Sequence, residues 1–342
     1  MNKLIYVLIL SLAICMFYGQ NSIAEVLSQD TFNGLPSESY GDIAVDKSGR
    51  FVAVGAEGLV KVSKDRSNWV KIISGTTDQF IKVRWGSDRF VAIGYDEAVF
   101  MSTFDGKVKK CSILKDASFS DVLWDGKKFF IVGDRVTENK WEGIVATSYD
   151  GLKWKIVHTE NKVNFISMAW NGSLYVLSGT RGEIKVSKDG INWTKPSKGL
   201  DKYFINHYPG KADYGICDTV WTGNKFVAFC EGYDNCDGNC YLAESKDGQN
   251  WSCKKTKEVM YFYKMAVNSK GCIILSFDYS DDNESITLVS FIPNGGSLEP
   301  VSFKGAEYAG GVSVINDSFY IVGDHATLFT SKDGIKWSCQ KI

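Results

Sequence analysis

The side chains able to do chemistry are spread thinly along this sequence. His158, His207 and His325 stand far apart, and no H-x-x-x-H spacing sets two of them on one element as a metal site would need. Asp278, Asp281, Asp282 and Glu284 could hold Ca2+ together with loop carbonyls, yet the ligand order of an EF-hand is missing. The run DNCDGNC imitates a calcium loop, but Tyr233 occupies the place of its first aspartate. The expectation is therefore no metal and no cofactor. Hydrolysis of a glycosidic bond requires two facing carboxyl groups, and Asp324 with Asp96 or Glu97 is the best pair the chain offers.

Cysteines and aromatic residues carry more information. The apolar run Leu4 to Tyr18, preceded by Lys3 and followed by Ser22-Ile23-Ala24, has the three regions of a secretory signal with its cut after Ala24. A lipoprotein signal using Cys15 is the competing reading. Cleavage after Ala24 leaves eight of the nine cysteines in an exported chain, where disulfides form. Cys217, Cys230, Cys236 and Cys240 are the candidates: Cys230 with Cys240 would pin a hairpin loop and Cys217 with Cys236 could lie beside it, with Cys230–Cys236 as the rival pairing. Cys253 with Cys272 is a further expected pair.

These residues must be positioned by a repeat. SKDRSNW (Ser63 to Trp69), SYDGLKW (Ser148 to Trp154), SKDGINW (Ser187 to Trp193), SKDGQNW (Ser245 to Trp251) and SKDGIKW (Ser331 to Trp337) are copies of one corner. In it the Ser and Asp oxygens can accept backbone N–H groups of their own turn, Gly supplies a positive φ, and Trp opens the next strand. Each copy closes a unit of roughly 40 to 50 residues that reads as four short strands joined by tight turns, and about seven such units follow one another. The spacing predicts an all-β chain: a seven-bladed β-propeller of four-stranded antiparallel blades over residues 41–342, after a signal peptide (1–24) and a lead-in segment (25–40). The last unit contains its own outer strand from Trp337, which allows closure by packing; a strand contributed by Val26 to Thr31 is the other way the ring could close.

The corners resemble the Asp-box, or bacterial neuraminidase repeat, one residue shorter between Asp and Trp, and the whole mature chain resembles propellers of the sialidase-like and photosystem II assembly factor-like superfamilies. That resemblance implies a fold shared by enzymes, adhesins and assembly factors. For a sialidase it implies three arginines holding the substrate carboxylate, a Tyr-Glu nucleophile pair and an acidic proton donor. The mature chain has Arg50, Arg66, Arg84, Arg89, Arg135 and Arg181; Arg66 lies in a corner, Arg50 and Arg89 follow turns on the corner side, and no F/Y-R-I-P segment precedes the first unit.

The corners share one face of such a ring. The other face carries the connections between second and third strands, long at Arg135 to Gly143, Glu231 to Asn239 and Asp278 to Ser285, together with the long segment Lys195 to Cys217. Arg135, Trp141, Arg181, Tyr208, Tyr233, Asp324 and His325 on these connections are the candidate contacts for a protein or glycan partner. With 39 basic and 40 acidic residues the net charge is -1, which gives no global attraction to nucleic acid or to an anionic membrane. The sequence reading is a monomeric, exported, non-catalytic binding or scaffold module, secreted or in the cell envelope, without membrane insertion after signal removal. Its alternatives are an extracellular, sialidase-like glycoside hydrolase or an envelope assembly factor.

Overall fold

The computed structural model describes residues 38–94, 98–102, 108–112, 117–137, 140–200, 214–232, 240–255, 261–279, 285–293, 299–304 and 309–342. Its strands fall into seven antiparallel sheets, each built from contiguous sequence. The first holds β1 (Tyr40–Val45), β2 (Phe51–Gly55), β3 (Val60–Ser63) and β4 (Trp69–Ile72); the second β5 (Phe80–Gly86), β6 (Arg89–Gly94), β7 (Ala98–Ser102) and β8 (Val108–Ser112). The third holds β9 (Ala117–Trp124), β10 (Phe129–Thr137), β11 (Lys140–Ser148) and β12 (Lys155–Asn161). The fourth has only β13 (Phe165–Trp170), β14 (Tyr175–Gly179) and β15 (Ile184–Ser187), its outer strand being reduced to a bridge between Val186 and Thr194. The fifth holds β16 (Tyr214–Trp221), β17 (Phe226–Gly232), β18 (Cys240–Ser245) and β19 (Ser252–Lys255), and the sixth β20 (Tyr261–Val267), β21 (Gly271–Tyr279), β22 (Ser285–Pro293) and β23 (Glu299–Lys304). The last holds β24 (Ala309–Ile315), β25 (Ser318–Gly323), β26 (Thr327–Ser331) and β27 (Ser338–Lys341).

Burial grades across each sheet. In β2 every residue of FVAVG is buried, whereas all of β27 is exposed. A second strand is covered on both faces by the adjacent sheets, so it must be apolar throughout; an outer strand needs to be apolar on neither. The core consequently lies between sheets. Ile43, Phe51 and Leu59 of the first sheet pack with Tyr320, Val322 and Leu328 of the last, while Val52, Val54 and Val60 pack with Phe80, Val83 and Phe90 of the second.

First strands touch in succession: β1 with β5, β5 with β9, β9 with β13, β13 with β16, β16 with β20, β20 with β24, and β24 with β1. At the last of these contacts two glycines permit close approach, since a Cβ on Gly310 would sit 1.8 Å from the Tyr40 carbonyl oxygen and one on Gly311 2.2 Å from that of Gly41. The first and last described segments meet at the same seam. Ala326 donates its N–H to the Glu38 carbonyl (3.2 Å), and Lys61 Nζ donates to the carbonyl of Ile342 (2.9 Å). The last sheet is completed by its own β27.

The repeated corners have the expected geometry. In SKDGINW, Ser187 Oγ accepts the Gly190 N–H (2.9 Å), while Asp189 Oδ1 accepts those of Ile191 and Asn192 (2.8 Å each). Gly190 has φ +73° and lies against Phe130 of the preceding sheet, so this position excludes a side chain both by conformation and by contact. The indoles of Trp154, Trp251 and Trp337 donate Nε1–H to the carbonyls of Gly151, Gly248 and Gly334. The Trp193 indole nitrogen makes no such bond.

The cysteines do not follow the expected pairing throughout. Cys253 in β19 and Cys272 in β21 are separate thiols in different core clusters, because successive sheets hold them on different elements. Cys230 lies opposite Tyr241 and Cys240 opposite Glu231, one step apart in the ladder rather than directly opposed. Cys236 falls outside the described residues.

Candidate functional site

Every first strand slips by one residue against its second strand, at Gly41, Ile81, Ser120, Ile166, Cys217, Tyr263 and Gly310. Such a bulge re-aims the residue that follows it. Those residues are Asp42, Lys82, Asp121, Ser167, Asp218, Lys264 and Gly311, and two positions before each lies a buried apolar anchor: Tyr40, Phe80, Phe119, Phe165, Ile216, Phe262 and Ala309. The repeated unit is thus an anchor, a bulge and a mostly polar residue. It assembles a charged girdle from residues some forty positions apart.

The carboxylates of the girdle are saturated. Asp42 receives Arg84 Nη1 (2.6 Å), Ser313 Oγ (2.7 Å) and the N–H groups of Ile43 and Val83. Asp121 meets Lys82 Nζ (2.7 Å) and accepts the Met168 N–H (2.9 Å), with Ser167 Oγ 3.2 Å from its Oδ2. Asp218 accepts from Ser167 Oγ (2.8 Å), Thr219 N and Met265 N (2.9 Å each). Each of the three therefore bonds the backbone of the next sheet, through Val83, Met168 and Met265. Burial pushes Asp42 up, but the neighbouring charges of Arg84 and Lys264 outweigh it and its pKa is lowered.

Lys264 has different partners. Its ammonium donates to the carbonyls of Gly41 and Ile81 (2.9 Å each), reaching from the sixth sheet to the first two, past Gly311, which offers no side chain. Burial dominates its titration and lowers the pKa to about 8.

On the corner side of the girdle lies a cavity of about 430 Å³. Lys82, Arg84, Asp121 and Asp218 form its polar base; Trp85, Trp170 and Trp221 line its wall near the first turns of their sheets. These indoles rest on the first aromatic of the second strand: Trp85 on Phe90 (4.6 Å between centroids), Trp170 on Tyr175 (3.9 Å) and Trp221 on Phe226 (4.7 Å).

The residues expected to bind a partner fall elsewhere. Arg135 and Trp141 lie on the β10–β11 hairpin, whose nine-residue strands outrun the five residues of β2 and β14. Trp141 stands opposite Val136 in register; Val136 is 59% and Trp141 36% exposed. Arg135 and Lys140 both pair with Glu142, whose pKa these two hydrogen bonds lower, Lys140 first. The Trp141 indole donates to Asp134 Oδ2 (3.2 Å). Arg181 and His325 occupy second-to-third strand turns with φ of 61° and 57°, as does Glu57 with 52°, and Asp324 accepts the Thr327 hydroxyl at its carbonyl. Tyr208 and Tyr233, like Asp96 and Glu97, lie outside the described residues.

The arginines are dispersed. Arg50 pairs with Asp46, Arg84 with Asp42 and Arg135 with Glu142; Arg66 donates to the Tyr320 hydroxyl and Arg89 to the Asp150 carbonyl. Among the described residues no three histidine, cysteine or acidic side chains gather to hold a metal, and no helix is long and apolar enough to cross a membrane.

Antiparallel sheets whose first strands contact one another in succession define a propeller-like, all-β protein. Solved structures share this fold. PorZ, an essential bacterial surface component of the type-IX secretion system of Porphyromonas gingivalis, is 12% identical with a TM-score of 0.59 over 90% of this chain, which spans 38% of PorZ. YCF48, solved bound to D1 peptide, is 13% identical with a TM-score of 0.57, covering 85% of this chain and 91% of its own. The computationally designed Ika8 protein is 11% identical with a TM-score of 0.54, covering 90% of this chain and 88% of its own. No protein-family model and no curated protein matches the chain.

Proposed function

We propose that the chain is a closed seven-bladed propeller, exported from the cytoplasm, that works as a non-catalytic binding module and holds a protein partner on its second-to-third strand connections. The β10–β11 hairpin carries this reading: its nine-residue strands, matched in length by β21 and β22, outrun those of the first and fourth sheets, and it presents Val136 and Trp141 to solvent as a cross-strand apolar pair, bordered by the charges of Arg135, Lys140 and Glu142. An exposed indole with an apolar neighbour and a polar rim is the composition of an interface anchor. The fold likeness to a surface component of a secretion system and to a propeller solved with a peptide supports a partner of this kind. Tyr208, Tyr233, Arg181, Asp324 and His325 belong to the same face in this reading.

A photo-crosslinking residue in place of Trp141, used in cells that make the protein, tests it. A discrete adduct is expected from position 141 and none from Tyr149, which is 70% exposed in a corner at the other end of the strands. Adducts of the same species from both positions, or none from 141, would overturn the reading.

A further inference from the structure

The cavity above the girdle contains an arginine whose hydrogen bonding is half used. Arg84 spends Nη1 on Asp42 Oδ2 (2.6 Å) and on the Val83 carbonyl (2.7 Å). Among the described residues no acceptor meets its Nε or Nη2. A guanidinium has five N–H donors, and the Nε–Nη2 edge is one of the forks that match a carboxylate with two parallel bonds. Arg84 is also the most open charge at the cavity base, with 30% of its side chain exposed against 14% for Lys82 and 5% for Asp121.

The remaining polar groups favour one class of ligand. Both oxygens of Asp121 and of Asp218 are engaged by backbone N–H, hydroxyl or ammonium donors, so they offer little to a cation. Their charge lies close enough to oppose a dianion such as a phosphate monoester, while a single planar carboxylate can be matched by one arginine fork. Above the base the wall is apolar and flat, supplied by Trp85, Trp170 and Trp221. The volume of about 430 Å³ lies within the range of small-molecule sites.

We propose that this cavity binds a small organic monocarboxylate with a flat apolar body, its carboxylate on the Nε–Nη2 edge of Arg84 and its body against Trp85, Trp170 and Trp221. The site lies at the opposite end of the strands from the β10–β11 hairpin, and it stands whether or not that hairpin holds a partner.

The probe is 2-naphthoate, titrated into the purified chain by calorimetry and by saturation-transfer NMR, beside its neutral isostere 2-naphthamide and the dianion 1-naphthyl phosphate. Saturable binding of naphthoate is expected, with the amide and the phosphate each weaker by about tenfold or more because a charge-assisted pair is lost or opposed. Arg84→Lys keeps a cation beside Asp42 but removes the fork and should weaken naphthoate by about tenfold. Trp221→Leu, on the wall, supplies a second variant should the first fail to fold, and is expected to weaken naphthoate and naphthamide alike. Equal binding of naphthoate and naphthamide, tighter binding of the phosphate, absence of saturable binding, or wild-type affinity in either folded variant would overturn the proposal.

Discussion

Gly310→Ala should reverse the usual sign of a glycine replacement. Gly310 does not occupy the left-handed region, so alanine meets no conformational penalty there. On an uncrowded strand the change would stabilise the protein by about 0.4–1 kcal/mol by restricting the unfolded chain. At the contact between β24 and β1, however, the new Cβ would lie 1.8 Å from the Tyr40 carbonyl oxygen and 2.8 Å from its carbonyl carbon. Both atoms are backbone, so no rotamer change relieves them and the two strands must part by more than an ångström. Overpacking of this kind costs about 1–3 kcal/mol or more; a backbone contact at 1.8 Å that no rotamer relieves belongs at the upper end, so after the gain of up to about 1 kcal/mol the net effect is a loss of about 2 kcal/mol and a fall in Tm of about 4 °C or more. Gly215→Ala, where the nearest atom is the Ile166 methyl at 3.3 Å, is the matched control and should be close to neutral. Urea titration followed by tryptophan fluorescence, with calorimetry, measures both. Unchanged or increased stability in Gly310→Ala would refute the close packing of the last sheet on the first.

Two further outcomes are expected. Asp65, Asp189 and Asp247 are held below the usual carboxylate range by backbone and side-chain N–H groups of their corners, Asp247 at about 2 with the Asn250 side chain as the largest cause. A folded pKa below the unfolded value of about 3.9 gives stability that is complete above that pH and is lost as the pH falls toward 2. Tm should therefore drop between pH 4 and 2, less steeply in Asp247→Asn than in the wild type, and identical slopes would contradict this. Among Cys111, Cys253, Cys272 and Cys339, only Cys339 is exposed, while Cys272 is buried with its thiol pushed up by desolvation. Mass spectrometry after brief treatment with a maleimide should find Cys339 labelled and Cys272 protected until the chain is unfolded.

Much of the fold was legible because its corners are local. Ser187, Asp189 and Gly190 satisfy one another within a few residues, so their spacing alone identifies the turn. The stretch Arg135 to Gly143, expected as a long connection, is mostly strand: β10 and β11 run on through it and place Trp141 in β11, because its residues pair across the hairpin. The girdle was not legible. Asp42, Lys82, Asp218 and Lys264 each follow an apolar residue and a spacer, and singly they read as solvated strand charges. Only the bulge that recurs in each first strand, and the approach of seven such strands, makes them neighbours. The signal that could have found them is the alignment of YGD, FIK, FSD, FIS, ICD and FYK at the start of successive units. The Cys253–Cys272 pairing failed because nearness in sequence across a sheet boundary is not nearness in space.

Completion of the last sheet by its own β27 has a consequence for how this chain can be made and remade. Among the described residues no strand is exchanged between the first and last sheets, so each sheet can form as soon as its own segment has emerged, and only the packing of β24 on β1 must wait for the final stretch. The face of the first sheet formed by Ile43, Phe51 and Leu59 therefore stays uncovered until the last sheet is made. For the same reason a cut between β4 and β5 breaks no strand pairing among the described residues. The order in which the sheets are synthesised is separable from the order in which they stand.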